Sequence, residues 1–158
     1  MQTAEPTPHV VSPEAGKTVR VLSDLVTFKA LAVNTGGAFS LFETQTAPGQ
    51  GTPPHRQLLE EESFYVLEGT YAFQIEGRTV EFGPGGFVRV PRGTVHAFTN
   101  VGKTPARMLI LVTPGGIHEN FFAELGVPVD AQPTGAPDFA HIFAVAEKYG
   151  VEILTPNS

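Results

Sequence analysis

Two histidines and one carboxylate, His55, Glu62 and His96, lie on stretches that read as separate short strands. Residues two apart on a strand point to the same face, so His55 and Gln57 point together. Glu62 opens the segment ESFYVLEG, in which Glu62, Phe64 and Val66 share one face and Ser63, Tyr65 and Leu67 the other. His96 follows a Pro91-Arg92-Gly93 turn, in step with Phe98 and Asn100. Two imidazoles and one carboxylate drawn from separate strands are the donor set of a facial site for a non-haem iron-type metal. The plain alternative is a set of polar residues that face a polar pocket. Convergence of the three groups weighs against it, because buried charge needs a partner and a divalent cation is the simplest one.

Short strands must position these groups. Lys17 to Val33 reads as two strands with Ser23-Asp24 at their turn, Asn34 to Gly37 as a turn, and Ala38 to Thr46 as a strand. On that last strand the pattern leaves open which of Phe39, Leu41, Glu43 or Ser40, Phe42, Thr44 faces inward. Leu58 to Glu61 is a turn whose Glu60 and Glu61 are expected to be solvated. Glu76-Gly77-Arg78 closes a hairpin, FGPGG at residues 82 to 86 is a sharp bend, and ARMLILVT is a strand covered on both faces. Helical spacing of Ile117, Phe121 and Leu125, with Gly126 as the stop, predicts one helix. A second is predicted from Pro137 to Lys148, with an apolar stripe of Phe139, Ile142, Phe143 and Ala146. His118 and His141 fall on these helices and are expected to have surface or packing roles.

The spacing of the polar groups resembles the cupin family. Its first motif reads here as Gly49, His55, Gln57, Glu62 and Gly69, with Gln57 where the family has a second histidine; its second reads as Gly85, Pro91, Gly93, His96 and Asn100 without departure. The C-terminal EKYGVEIL also looks like a subgroup of single-domain cupins related to bacterial quercetin dioxygenases. The resemblance implies an all-β cupin double-stranded β-helix, a jelly-roll barrel, with two C-terminal α-helices. The expected organisation is an N-terminal arm at 1–16, the barrel at 17–116 and a helical extension at 117–158 packed on it.

The resemblance further implies one divalent transition metal (Fe, Ni, Co, Mn, Cu or Zn) held by His55, Gln57, Glu62 and His96. Glu62 acts either as a ligand or, swung free, as the catalytic base. Phe64, Phe73, Phe98 and Met108 are expected to wall a pocket for an aromatic or enolisable substrate. The implied activity is a quercetinase-like dioxygenase; a non-catalytic carrier or sensor of a small apolar ligand is the alternative. Gln57 favours the alternative, since an amide oxygen is a poorer donor than imidazole, and the retained His55, Glu62 and His96 oppose it.

Bulk properties narrow the field. The 158 residues suit one domain, and 17 Gly and 14 Pro with only 16% charged residues indicate many short strands and tight turns. A net charge of −6 argues against a nucleic-acid partner, and the absence of Cys excludes thiol chemistry and iron–sulfur clusters. No apolar run is long enough to span a bilayer, and the N-terminus lacks a cationic start and apolar core. A cytoplasmic protein binding a small molecule is expected. Capping of the barrel's sheet edges by a second copy, as a homodimer, is expected too.

Overall fold

The computed structural model describes residues 6–131 and 135–155. Strands β1 (Thr18–Val21), β2 (Asp24–Ala30), β3 (Ser40–Thr46), β5 (Glu61–Glu68), β8 (Phe87–Val90), β10 (Ala106–Thr113) and β11 (Val127–Pro128) form one sheet in the order β11-β1-β2-β3-β10-β5-β8. Strands β4 (His55–Gln57), β6 (Tyr71–Ile75), β7 (Arg78–Phe82), β9 (His96–Asn100) and β12 (Val151–Ile153) form the other, in the order β12-β4-β9-β6-β7. All pairings are antiparallel. A short helix, α1 (Ala32–Thr35), links β2 to β3, while α2 (Ile117–Leu125) and α3 (Phe139–Lys148) follow the barrel. This is an all-β jelly roll with C-terminal helices.

Period-2 burial builds the core between the sheets. On β3 the inward face is Ser40, Phe42, Thr44 and Thr46, so Glu43 faces outward, where it pairs with Arg107. Phe64 and Val66 of β5, Tyr71 and Phe73 of β6, Phe98 of β9 and Met108, Ile110 and Val112 of β10 complete the interior. Motif glycines serve the backbone. Gly69 has φ +80°, and a Cβ there would meet Ala106 at 2.6 Å, so only glycine lets β5 turn into β6 this close to β10. Asn100, the last motif residue, is buried and ties the end of β3 to the turn between β9 and β10: its Nδ2 donates to the carbonyls of Thr46 and Thr104, and its Oδ1 accepts from Gly102 N–H.

Several local expectations are corrected. The first hairpin turns at Leu22-Ser23, leaving Asp24 as the first residue of β2, buried. Asn34 lies in α1 rather than in a bare turn; Gly36, in the left-handed region, ends that helix. Helix α2 keeps the expected bounds, but its buried face is His118, Phe121 and Phe122. Helix α3 starts at Phe139, with the Asp138 carboxylate accepting from His141 N–H as its cap. It buries Ile142, Val145 and Ala146, whereas Phe139 and Phe143 stay exposed on this chain. Glu60 is buried, not solvated.

At the N-terminus, residues 1–5 of the expected arm lie outside the described residues. The part from residue 6 onward carries no regular element but is tied to β2: His9 Nε2 lies 2.9 Å from Lys29 O, and Lys29 Nζ donates to the carbonyls of Pro13 and Ala15. In the C-terminal extension, residues 132–134 and 156–158 lie outside the described residues as well.

Candidate metal centre

Each of the four expected site residues is placed by strand register. β4 and β9 pair with His55 directly opposite His96, so their side chains share one face, with ring centroids 4.3 Å apart. Gln57, two residues along β4, is buried on the same side. Glu62 comes from β5 in the opposite sheet and is also buried. The site therefore lies between the two sheets. β4 is held from its other edge by β12, with Val151 opposite Gln57 and Ile153 opposite His55, and Gly93 N–H donates to Gln57 O at 2.8 Å.

The contacts converge on one carboxylate oxygen. Glu62 Oε2 accepts from Gln57 Nε2 at 2.7 Å and lies 2.9 Å from His96 Nε2. One donor atom from each of His55, Glu62 and His96 lies within 4.8 Å of the others. An ion with bonds of ~2.1 Å needs facial donors about 3 Å apart, a separation the His96–Glu62 pair already has and small side-chain shifts reach for His55.

The imidazoles are oriented as ligands are. His55 Nδ1 is 2.9 Å from the Pro53 carbonyl, and His96 Nδ1 is 2.9 Å from the Thr94 carbonyl. A carbonyl only accepts, so each Nδ1 carries a proton; His96 Nε2 lies against Glu62 Oε2, and a ring nitrogen of His55 comes within 4.8 Å of the other two donors. Backbone carbonyls that fix tautomer in this way are a regular companion of metal-binding histidines. Gln57 Oε1 is buried without a hydrogen-bond partner among the described residues, an acceptor that a cation or its water satisfies. The residues present fit a divalent transition ion.

Electrostatics agree with that fit. Burial, reinforced by the neighbouring His96, pulls His55 down to about 4, so it is a neutral donor at ordinary pH. Burial also pulls on His96, but the hydrogen bond and charge of Glu62 outweigh it and raise its pKa above the usual value. For Glu62, burial favours the acid form; the hydrogen bond from His96 and the imidazoles of His118, His96 and His55 together hold its carboxyl below the ordinary range. Without a cation, His96 and Glu62 form an imidazolium–carboxylate pair.

A cavity of about 80 Å³ adjoins this centre, bordered by His55, Glu62, Phe98, Asp24 and His118 and lined on its other side by α2, α3 and β12. Of the expected pocket walls only Phe98 borders it. Phe64, Phe73 and Met108 are fully packed core side chains, because the space opens toward the C-terminal helices rather than along the barrel axis between β5, β6 and β10. Residues missed by sequence reasoning stand in their place: Asp24, from the first hairpin, and His118, from α2. The buried face of α2 was legible only if His118 had been counted with Phe121 and Phe122, and a histidine reads as polar.

Comparison with known proteins agrees with the geometry. The model of the cupin domain matches residues 42–112, the span that holds both motifs. The chain carries a cupin domain. It is 28% identical over 123 residues to quercetin 2,3-dioxygenase of Bacillus subtilis, covering 78% of this chain and 36% of that protein. This cupin spans between about a third and two thirds of the length of the curated relatives it matches. Among solved structures, KdgF from Halomonas sp. aligns with a TM-score of 0.63 at 16% identity, covering 70% of this chain and 96% of that one, a likeness of fold. The polyketide cyclase RemF from Streptomyces resistomycificus aligns with a TM-score of 0.59 at 28% identity, covering 67% and 79%.

Proposed function

We propose that this cupin holds one divalent transition metal through His55, Glu62 and His96, with Gln57 as a weak fourth donor, and acts as a dioxygenase on a small enolisable organic substrate. The observation that carries the reading is the pair of imidazoles whose Nδ1 edges are committed to backbone carbonyls and whose rings converge with one buried carboxylate, donor atoms of all three lying within 4.8 Å of one another. Similarity to quercetin 2,3-dioxygenase supports the reaction class. When bound, such a metal supplies open coordination positions that orient an enolate and O₂ and stabilise negative charge.

The chain's own groups do the rest. Gln57 and His96 both hold Glu62 Oε2, which favours Glu62 as a ligand over Glu62 as a free base. The apolar walls of the cavity, Phe98, Ile110 and Phe122 among them, exclude water and suit a substrate with a hydrocarbon flank. Among the described residues no helix is long and apolar enough to cross a membrane, and a small-molecule partner fits the cavity beside the donors.

A non-catalytic carrier or sensor is the second reading, favoured by Gln57 in place of an imidazole. Oxygen uptake by iron-loaded protein separates the two, with pentane-2,4-dione and quercetin as probes. Uptake that disappears in Glu62→Gln supports the dioxygenase. Tight ligand binding without uptake, under any metal, leaves the carrier.

We also propose a homodimer built on the outer face of β5 and β8, where Tyr65 and Phe87 are direct cross-strand partners and both stand exposed. Sedimentation should show a dimer that Phe87→Lys dissociates; a natural monomer refutes it.

A further inference from the structure

Glu60 and His118 are charged or polar residues that a barrel of this size has no packing reason to bury, yet they are 1% and 4% exposed. Glu60 ends the turn between β4 and β5; His118 opens α2, 58 residues later. Glu60 Oε2 accepts from His118 backbone N–H at 3.0 Å, and Oε1 lies 3.2 Å from His118 Nδ1. The first contact caps the helix, and any residue at position 118 would supply that N–H. The second needs an imidazole.

The second contact fixes which edge of the ring does what. A carboxylate accepts, so Nδ1 carries the proton and the lone pair of the neutral ring is on Nε2. Phe122 packs edge-on at 4.4 Å between ring centroids, with Phe121 at 5.3 Å and Phe42 at 6.2 Å, so the ring is clamped. Among the described residues nothing hydrogen-bonds Nε2. His118 borders the same cavity as His55 and Glu62 but stands outside the group of donors close enough to share an ion. An oriented ring nitrogen on a residue that borders the cavity beside the candidate metal donors, and is not one of them, is placed to contact a substrate.

We propose that His118, held by Glu60, binds the substrate: Nε2 accepts the hydrogen bond of a hydroxyl or enol on a molecule lying between α2 and the metal ligands. His118 is thus a substrate-binding residue and Glu60 a positioning residue that acts through it. Size narrows the substrate class. The cavity of about 80 Å³ holds about five to eight water-sized groups, far less than the roughly 300–1,000 Å³ of sites for drug-sized ligands. The substrate is a small β-diketone or hydroxy-enone, not a polycyclic flavonol. The inference rests on the proposed metal site only in that this cavity is where the substrate lies.

Calorimetric titration of zinc-loaded protein with pentane-2,4-dione tests it without turnover. The natural protein should bind, His118→Phe should weaken binding about tenfold or more at unchanged zinc content, and His118→Gln should recover part of the loss. Glu60→Gln, which keeps an acceptor for the helix, should weaken binding less than His118→Phe. Equal binding by the natural protein and His118→Phe overturns the role of His118 while leaving the metal site intact. If His118→Phe does not fold, His118→Gln and Glu60→Gln carry the comparison, and affinity unchanged in both overturns the proposal. No binding of the diketone by zinc-loaded natural protein overturns the substrate class, whereas failure to take up zinc strikes the metal reading instead.

Discussion

Ile153, in the last strand, is the direct antiparallel partner of His55. His55 in turn pairs with His96, and His96 with Ile75, so one row across the sheet runs from the C-terminal strand through both imidazoles. β4 is three residues long and would make a poor platform on its own. β12 makes it an inner strand, paired on both edges, and Leu58 N–H to Gly150 O and Leu154 N–H to Pro54 O extend the clamp. The C-terminal segment is therefore part of what places the metal donors.

Weakening that clamp should be felt at the site. Val151 is buried opposite Gln57, and Val151→Ala is expected to cost about 1–3 kcal/mol of stability and to lower metal affinity in parallel. Chemical denaturation with a chelator competition on the same samples measures both. Reduced stability with undiminished metal affinity would show that β12 supports the fold but not the donors.

The register of that row explains what could be read from the chain beforehand. His55, Gln57, Glu62 and His96 were legible because strand alternation and the two motifs give the same answer about their faces. β12 was not, since VEI is too short for a period to show, and its pairing joins positions almost a hundred residues apart. Glu60 was misjudged for a related reason: local pattern treats a carboxylate in a turn as solvated, and only the tertiary approach of α2 supplies the partner that makes its burial affordable. Phe139 and Phe143 show the reverse, matching a helical stripe that the barrel does not cover on this chain.

Asp24 offers a test of the buried electrostatics. Its Oδ1 is buried without a partner among the described residues, and burial, only partly offset by a hydrogen bond with Thr46, raises its pKa to about 6. The folded state holds a proton that the unfolded chain has already released above its lower pKa, so this group costs stability as pH rises from about 4 through about 6. Asp24→Asn should therefore stabilise the protein at pH 7, on the order of 1–3 kcal/mol, and change little near pH 3.5. Thermal melts at the two pH values check it; an equal effect at both would assign the change to something other than the charge.

Gln57 is where the chain departs from its family. Gln57→His adds an imidazole beside Glu62 without changing formal charge, and is expected to tighten metal binding at least tenfold, about 1.4 kcal/mol. Competition with a chelator reads the change directly. An unchanged affinity would mean that position 57 does not reach the ion.

Metal affinity should also depend on pH in a particular way. Nε2 of His96 is protonated on Glu62 in the metal-free site, and its pKa is raised by that contact. The ion must displace this proton, so affinity should fall about tenfold per pH unit below the raised pKa of His96 and level off above it. His55, at about 4, stays neutral throughout and adds no slope in that range. A titration of affinity against pH that stays flat below pH 6.5, the ordinary imidazole value that His96 exceeds, would place the ion away from His96.

Metal stoichiometry after loading tests the central claim most directly. Purified protein, stripped with a chelator and then loaded separately with iron, nickel, cobalt, manganese, copper and zinc, is passed through a desalting column and assayed for metal per chain. One ion per chain is expected for at least one of these metals, and its loss in Glu62→Gln with the fold retained. No retained metal in the natural protein, under any of the six, would contradict it.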